Sequence, residues 1–217
     1  MDAKTLIARR VAQELQDGDV VNLGIGLPTL VPDFLPPGVT ITLQSENGFL
    51  GLGPLGGAPV ANLVNAGGKP CGLVPGGAFF DSATSFAIIR GGHVDVTVLG
   101  GLQVDQAGNL ANWMVPGKMV PGMGGAMDLV TGARRVIVAM EHATKDGGAK
   151  ILKRCTLPLT AAGRVSAIVT ELAVFRFPDG RLTLTETAPG VPLETIRART
   201  EAEYDVSPDC REMRLPA

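Results

Sequence analysis

The sequence predicts an α/β protein in which helices flank a largely parallel sheet, and three observations lead to this prediction. The chain has 217 residues, short β-rich runs alternate with helical segments, and turn-forming residues separate them. A chain of this length can enclose one sizeable core, and one domain is more common than two at this size. Strands that alternate with helices are typical of βα crossovers, which give parallel sheets. Because no linker divides the chain, residues 1–217 are assigned to one domain.

The chain is predicted to begin with a helix, a strand and a glycine loop. The helix is indicated by apolar residues at helical spacing, namely Leu6, Ile7, Val11 and Leu15. Turn formers at residues 17–19 end this helix, and a β-rich run at residues 19–23 follows. Gly24 and Gly26 then separate the strand from a second helical segment at residues 27–34.

A second predicted strand, at residues 39–43, runs directly into Gln44-Ser45-Glu46-Asn47-Gly48. The Asn-Gly pair in this segment marks an abrupt reversal of the chain. Glu46 is therefore predicted to lie at the carboxyl end of a strand, and binding sites in parallel sheets lie outside these ends.

The rest of the chain continues the alternation and then changes character. Four further segments extend the pattern, with helices at residues 82–89 and 126–130 and strands at residues 94–99 and 135–140. Residues 173–177 and 181–185 alternate with period two around Pro178-Asp179-Gly180, which predicts a β-hairpin. Residues 192–199 are expected to form a short final helix, and residues 205–217 a tail.

Composition excludes several classes of function. The net charge of -2 provides no field that would attract nucleic acid or an anionic membrane, and one Trp and one Tyr argue against base-stacking surfaces. Cys71, Cys155 and Cys210 are far apart and outside any CxxC spacing, so neither a disulfide framework nor a zinc site is indicated. A reducing cytoplasm is expected. No apolar run approaches the length of about 18 residues needed to span a membrane, so a soluble protein is expected.

One carboxylate stands out as a candidate for chemistry. Glu46 is surrounded in the sequence by small or neutral residues, without a nearby Lys or Arg. Glycine adds no side chain and tolerates positive φ, so a glycine-rich turn can present this carboxylate to a substrate at close range. The alternative interpretation is an acidic turn residue that caps a helix or faces water, and the residues alone favour that alternative.

The segment Leu-Gln-Ser-Glu-Asn-Gly-Phe-Leu-Gly at residues 43–51 resembles the active-site signature of family I CoA-transferases, specifically the β subunits of 3-oxoacid CoA-transferases. The similarity runs through nearly the whole chain, with family-like segments at residues 22–28, 65–67, 89–94, 112–118, 122–129 and 155–160. It implies the CoA-transferase fold, which is similar to that of ribose-5-phosphate isomerase.

The resemblance implies transfer of CoA between two carboxylic acids, with Glu46 as the covalent carrier. A glutamate carboxylate that attacks an acyl-CoA gives a mixed anhydride, which free CoA then converts to a glutamyl-CoA thioester. A serine ester would be too stable, because the intermediate must be as energetic as the thioester itself. Ping-pong kinetics are expected, and no cofactor is expected besides the CoA thioester substrate.

The residues around Glu46 are assigned supporting roles. Three of them are expected to hold its turn, namely Ser45, Asn47 and Gly48. Gly124 and Gly125 are candidate backbone N–H donors to the tetrahedral oxyanions of the reaction. No metal ligand is expected.

CoA contacts are assigned by the resemblance to two segments. One is the glycine loop, with Asn22, Gly24 and Gly26, and the other provides Lys69. Lys69 follows the Asn-Ala-Gly segment with one glycine more than the family pattern, so a solvated loop cation remains an equal alternative.

Two histidines and a group of methionines have competing interpretations. His93 near Asp95 and His142 near Glu141 are potential proton carriers. The chemistry above needs no obligatory general base, so packing or hydrogen-bonding roles are expected for both. For the methionines of the glycine-rich region, core filling is favoured over a wall for pantetheine, and these are Met114, Met119, Met123 and Met127.

The resemblance also implies a separate α subunit, so that the complete site forms where two subunits meet and this chain alone is nearly inactive. A heterodimer and a heterotetramer both fit. Succinyl-CoA with acetoacetate is the preferred acyl pair, while succinyl-CoA with 3-oxoadipate and acetate with acetoacetyl-CoA share the same signature.

Two other functions compete with this interpretation. Gly24-Ile25-Gly26 follows a strand and Glu46 lies about 20 residues later, as in dinucleotide-binding folds, but Thr29 occupies the place of the third glycine. The single tyrosine, Tyr204, also lacks a lysine four residues later. A catalytically silent ligand-binding domain with the same fold is the other alternative, and the intact Ser-Glu-Asn-Gly turn argues against it.

Overall fold

A ten-stranded sheet forms the centre of the fold in the computed structural model, which describes residues 1–117 and 122–215. Five neighbouring strands run parallel to one another, and in spatial order they are β10 (Ala167–Val169), β8 (Arg135–Ala139), β5 (Val96–Leu99), β1 (Val20–Leu23) and β2 (Thr42–Ser45). The predicted α/β class with a largely parallel sheet is confirmed. The second strand begins and ends later than predicted, so that Glu46 follows it directly.

Antiparallel strands extend this parallel centre on both sides. Next to β2 lie β3 (Phe49–Gly53) and β4 (Gly72–Phe79). Next to β10 lie β11 (Ala173–Arg176) and β12 (Thr183–Thr187), which form the predicted hairpin.

The last strand, β13 (Asp205–Glu212), pairs in parallel with β12 at the edge of the sheet. The prediction of a tail is therefore wrong for residues 205–212. Most side chains of this strand are exposed, so it carries no hydrophobic alternation that the sequence could reveal. Pro208 is tolerated there because an edge strand does not need every N–H for the ladder.

Four α-helices lie within the described part of the chain, and they are α1 (Ala3–Ala12), α2 (Ser82–Arg90), α3 (Ala126–Gly132) and α4 (Leu193–Arg199). Asp2 and Asp81 cap α1 and α2, because each carboxylate accepts a hydrogen bond from the backbone N–H three residues later. The segment Leu27–Phe34 is a 3-10 helix, and Pro32 inside it lacks the N–H that an α-helix requires. None of the described helices combines the length and apolar character needed to cross a membrane.

A separate three-stranded sheet was not predicted. It consists of β6 (Gln103–Asp105), β7 (Leu110–Ala111) and β9 (Ile151–Leu152). Strands of two or three residues are too short to show a period-two pattern, so local sequence could not reveal them.

The central sheet is buried on both faces. Val136 and Val138 belong to one apolar cluster, while Ile137 and Ala139 belong to the other, because successive side chains alternate across a strand. Helices α2, α3 and α4 contribute to the first cluster and α1 to the second. Each fully buried aliphatic side chain stabilises the fold by roughly 1.5–3 kcal/mol.

His142 lies in the interior of this fold. Its ring nitrogens are each 2.9 Å from a hydroxyl oxygen, that of Thr170 on one side and that of Thr200 on the other. Burial, together with the positive charges of Arg199 and Lys150, lowers the pKa of His142 to about 4. The histidine is therefore neutral at physiological pH, and the expected hydrogen-bonding role agrees with this placement.

This lowered pKa predicts a pH-dependent stability. Above pH 6.5 both the folded and the unfolded chain hold His142 neutral, but between pH 6.5 and pH 4 only the unfolded chain takes up a proton there. The free energy of unfolding should therefore fall by about 3 kcal/mol over that range because of this residue. Urea unfolding at several pH values should show a shallower pH dependence for His142→Gln than for the wild type.

The matched control is His93→Gln, because His93 is exposed. A pH slope for His93→Gln as shallow as that of His142→Gln would show that the change is not specific to the buried histidine. Identical pH slopes for the wild type and His142→Gln would contradict the proposed protonation difference.

Candidate active site

Glu46 is the first residue after β2 and opens the three-residue turn that leads into β3. Gly48 has a φ of 119°, and a Cβ at this position would overlap the carbonyl oxygen of Phe80. The carbonyl group of Gly48 accepts a hydrogen bond from the Phe80 N–H at 2.9 Å. The turn is therefore fixed against the start of α2, and glycine is required at its third position.

The side chains of the turn hold it from both sides. The Ser45 hydroxyl donates to Oδ1 of Asn47, and Nδ2 of Asn47 donates to the Val64 carbonyl oxygen at 2.8 Å. Ser45, Asn47 and Gly48 thus occupy the supporting positions that the sequence suggested, and Asn47 links the turn to the loop that follows residue 63.

A buried chain of hydrogen bonds connects the end of β2, directly before Glu46, with β1 and α2. Nδ2 of Asn22 donates to Oε1 of Gln44 at 2.6 Å, and Nε2 of Gln44 donates to the Ser85 hydroxyl at 2.9 Å. That hydroxyl group in turn faces the Ser45 carbonyl oxygen at 3.3 Å. Buried polar groups must be paired, so these contacts fix β1, β2 and α2 relative to one another. The last acceptor of this network is the carbonyl oxygen of Ser45, the residue directly before Glu46.

Gln44 and Ser85 were missed by the sequence analysis. Gln44 lies just beyond the strand predicted at residues 39–43, so the sequence pattern assigns it to the turn, whereas β2 extends to Ser45. Ser85 has no local signal, because its contact joins residues 41 positions apart in the chain.

The Asn22 side chain, assigned to the CoA contacts, is directed into the protein and pairs with Gln44. Asn22 is 4% exposed, and its Nδ2 donates hydrogen bonds to the carbonyl oxygen and Oε1 of Gln44. These hydrogen bonds connect β1 to β2 just before the turn that carries Glu46. Of the three residues assigned to the glycine loop, Gly24 and Gly26 are the ones at or near the surface.

Gly125 lies directly against the Glu46 carboxylate. The Gly125 N–H donates a long hydrogen bond of 3.4 Å to Oε1 of Glu46. A Cβ at Gly125 would overlap Oε2 and lie 2.9 Å from Cδ of Glu46, so no larger residue fits without displacing the carboxylate. Gly124 has a φ of 54°, and its Cβ position lies 3.6 Å from Oε1. The two predicted backbone donors are thus next to the predicted catalytic side chain, from which they are 78 and 79 residues away in sequence.

The loop that carries Lys69 lies beside the glycine loop. Oδ1 of Asn65 accepts hydrogen bonds from the N–H groups of Gly67 and Lys69, at 2.9 and 3.0 Å. The Cβ position of Gly67 is 3.5 Å from Cγ1 of Ile25, which belongs to the glycine loop. Lys69 is exposed. The structure therefore places this lysine in a loop that contacts the glycine loop and, through Asn47, the Glu46 turn.

Other predicted residues lie apart from this arrangement. The Asp95 carboxylate accepts hydrogen bonds from Arg134 Nη1 and the Val20 N–H, and His93 is exposed, so the suggested His93–Asp95 pair does not form. Met127 is 50% exposed, so core filling is wrong for this methionine. Met114 and Met123 are partly buried, and Met119 and Lys118 lie outside the described residues.

The glycine loop differs from that of a dinucleotide-binding fold. The hydroxyl and the N–H of Thr29 both donate to the Gly26 carbonyl oxygen, and a 3-10 helix follows in place of the α-helix that would receive a pyrophosphate. Glu46 faces Gly125 in this arrangement.

Comparison with known proteins gives a consistent result. A family model described as coenzyme A transferase matches residues 4–199. The acetate CoA-transferase beta subunit of Escherichia coli strain K12 is 69% identical over 214 residues, which is 99% of this chain and 99% of that relative. A succinyl-CoA:3-ketoacid coenzyme A transferase subunit from Helicobacter pylori strain 26695 is 54% identical over 202 residues, which is 92% of this chain and 97% of that relative.

The fold is shared with solved structures at lower identity. The acyl-CoA transferase YdiF apoenzyme from Escherichia coli O157:H7 has a TM-score of 0.75 and 23% identity, covering 98% of this chain and 43% of that chain. The relatives above are named as subunits, which implies a partner subunit. The match over most of its length and the 69% identical relative show that the chain belongs to the coenzyme A transferase family and is an enzyme of this type.

Proposed function

We propose that this chain is the glutamate-bearing subunit of its CoA-transferase and that Glu46 carries CoA as a glutamyl thioester. The observation that supports this most directly is the contact between the Glu46 carboxylate and the Gly125 backbone. Glu46 is partly buried at the carboxyl end of a parallel strand, where ligands bind in sheets of this kind, and a backbone N–H holds its carboxylate.

The proposed reaction consists of exchanges at carbonyl carbons. A carboxylate oxygen of Glu46 attacks the thioester carbon of the acyl-CoA, the C–S bond breaks, and CoA leaves as a thiolate. The thiolate then attacks the glutamyl carbon of the mixed anhydride and expels the first acid as its carboxylate. A second acid reverses both steps and leaves as its CoA thioester, with Glu46 restored. In every step an anionic nucleophile replaces an anionic leaving group, so no external base is required.

Each exchange passes through a tetrahedral oxyanion that needs hydrogen-bond donors. The N–H groups of Gly124 and Gly125 are the proposed donors on this chain, because both glycines lie beside Glu46. A donor of this kind is worth roughly 2.7–4 kcal/mol to the transition state. The Gly125 N–H already faces the carboxylate, so a small shift transfers its hydrogen bond to an oxyanion formed on that group.

CoA is proposed to approach across the glycine loop. Gly26 has open space at its Cβ position, and the adjacent Ile25 is 70% exposed, so this loop offers backbone groups and an apolar side chain at the surface. Lys69, exposed on the neighbouring loop, is the proposed cation for a phosphate of CoA.

Two acyl pairs are candidates for the substrates. Acetate is favoured as one acid because the relative at 69% identity is named for acetate, and acetoacetyl-CoA is the corresponding donor in the sequence analysis. Succinyl-CoA with acetoacetate is the second candidate, supported by the 54% identical relative that is named for succinyl-CoA and a 3-ketoacid.

The proposed partner is a separate α subunit that completes the site and excludes water, which would otherwise hydrolyse the anhydride. The subunit names of the relatives support such a partner. The proposed location is the cytoplasm, which agrees with three cysteines that are all free thiols in the structure.

Glu46→Gln in the assembled enzyme should abolish CoA transfer, with a loss on the order of 10³-fold or more, because the amide cannot act as the nucleophile. The wild type incubated with an acyl-CoA alone should show a mass increase of one CoA on the peptide that contains Glu46. The matched control is Glu194→Gln, which removes an exposed carboxylate from α4. Undiminished transfer by Glu46→Gln would refute the proposed carrier.

Gly125→Ala should lower kcat by about 100-fold, because the added methyl group displaces the Glu46 carboxylate from its position. The fold should remain, since the clash is confined to one flexible side chain and the Phe86 ring. Gly56→Ala is the control, because its Cβ position is open. Steady-state kinetics and circular dichroism of both variants check this, and an unchanged kcat for Gly125→Ala would contradict the proposed geometry.

The acyl pair is tested by assaying the two purified subunits together with a panel of acceptor acids. With acetoacetyl-CoA as the CoA donor, we expect acetate to have a higher kcat/KM than succinate and 3-oxoadipate. Acetoacetate is assayed with succinyl-CoA as the donor. A higher kcat/KM for succinate than for acetate would favour the second candidate. This chain assayed without its partner should show almost no turnover, and a rate equal to that of the pair would contradict the shared site.

A further inference from the structure

A cavity of about 370 Å³ lies near the amino ends of the parallel strands, whereas Glu46 lies at a carboxyl end. Arg135 begins β8 and Arg176 ends the antiparallel β11, so both lie at the amino-terminal edge of the parallel strands, whereas Glu46 follows a carboxyl end. Five guanidinium groups line this cavity, and they belong to Arg10, Arg135, Arg176, Arg211 and Arg214. The proposed chemistry at Glu46 uses none of them.

The carboxylates of the region neutralise only part of this charge. Glu186 accepts hydrogen bonds from Nε and Nη2 of Arg10, at 2.6 and 2.9 Å. Glu14 accepts from Nη2 of Arg10 at 2.7 Å and from Nη2 of Arg176 at 2.6 Å.

Arg135 forms its ion pair with a third carboxylate, that of Asp19, at 2.9 Å. Three carboxylates therefore face the five guanidinium groups, which leaves an excess of two positive charges around the cavity. Arg214 has no ion pair among the residues that the structure describes, and Arg211 is 3.7 Å from an oxygen of Glu186.

Two hydrogen-bond donors at the cavity also lack an acceptor. Arg10 is 5% exposed, yet its Nη1 has no hydrogen-bond partner within residues 1–117 and 122–215. Nε2 of Gln13, which also lines the cavity, is unpaired in the same part of the chain. Buried donors without acceptors are unfavourable, so a ligand that supplies oxygen acceptors would relieve both.

We propose that this cavity binds a small organic or inorganic anion that carries at least two carboxylate or phosphate groups. Its volume falls at the lower end of the range for small-molecule sites, roughly 300–1,000 Å³. Planar guanidinium groups match both kinds of oxyanion in bidentate geometry. The ligand bridges α1, which carries Arg10 and Gln13 at its end, and the C-terminal strand β13, which carries Arg211. It therefore stabilises the packing of β13 near α1, at a place separate from the CoA site.

Thermal unfolding and calorimetric titration of the full chain test this proposal, with pyrophosphate and citrate as separate probes at constant ionic strength. At least one of them should raise the midpoint of unfolding in a saturable manner and bind with one site per chain. A response to pyrophosphate alone assigns a phosphate ligand, and a response to citrate alone assigns a carboxylate ligand. Arg214→Gln and Gln13→Glu should each weaken the apparent affinity at least tenfold.

Arg154→Gln is the matched control, because Arg154 is exposed, is not part of the cavity and loses the same charge. It should bind as the wild type does. A midpoint that rises linearly without saturation, or an equal loss of affinity in Arg154→Gln, indicates a general effect of charge and overturns the proposal. Binding that disappears when the α subunit is added also overturns the proposal, because the partner then fills the cavity. None of these results depends on CoA transfer.

Discussion

The contact between the Glu46 carboxylate and the Gly125 backbone is the constraint on which the site depends. Gly125 must lack a side chain there, because a Cβ would overlap a carboxylate oxygen. The same glycine caps the start of α3, whereas Glu46 follows the end of β2, so the contact depends on how the helix and the strand are placed relative to each other. The packing of the two elements on the central sheet sets that placement.

Beneath this contact, rigidity comes from polar groups that are paired with one another. Asn22, Gln44 and Ser85 connect two adjacent parallel strands and α2 through hydrogen bonds that are shielded from water. A paired network of this kind fixes orientation, because breaking one bond leaves a buried group without a partner. The flanking loops are held by the turn itself, through the hydrogen bond from Asn47 to the Val64 carbonyl oxygen. The turn that carries Glu46 is therefore fixed on the side of the sheet and on the side of the neighbouring loop.

The two ends of the parallel strands differ in the residues that they carry. At the carboxyl ends of the parallel strands, glycines let the backbone approach the Glu46 carboxylate closely. At the amino ends, arginines and carboxylates form a network in which Arg10, Glu14 and Glu186 are nearly buried. The other arginines of the cavity are more exposed than these three groups, with the Arg211 side chain 64% exposed, and they bring the count of guanidinium groups above that of the carboxylates paired with them. The proposed anion site follows from that imbalance.

The sequence by itself determined the α/β class, the position of Glu46 at a strand end and the hairpin formed by β11 and β12. These features depend on local alternation and on turn residues, which a single segment contains. Only the tertiary structure decided that Asn22 is buried, that Ser85 meets Gln44 and that residues 205–212 pair with β12. Those outcomes depend on contacts between residues far apart in the chain. Periodicity reports which side of an element is buried, but not which partner it meets there.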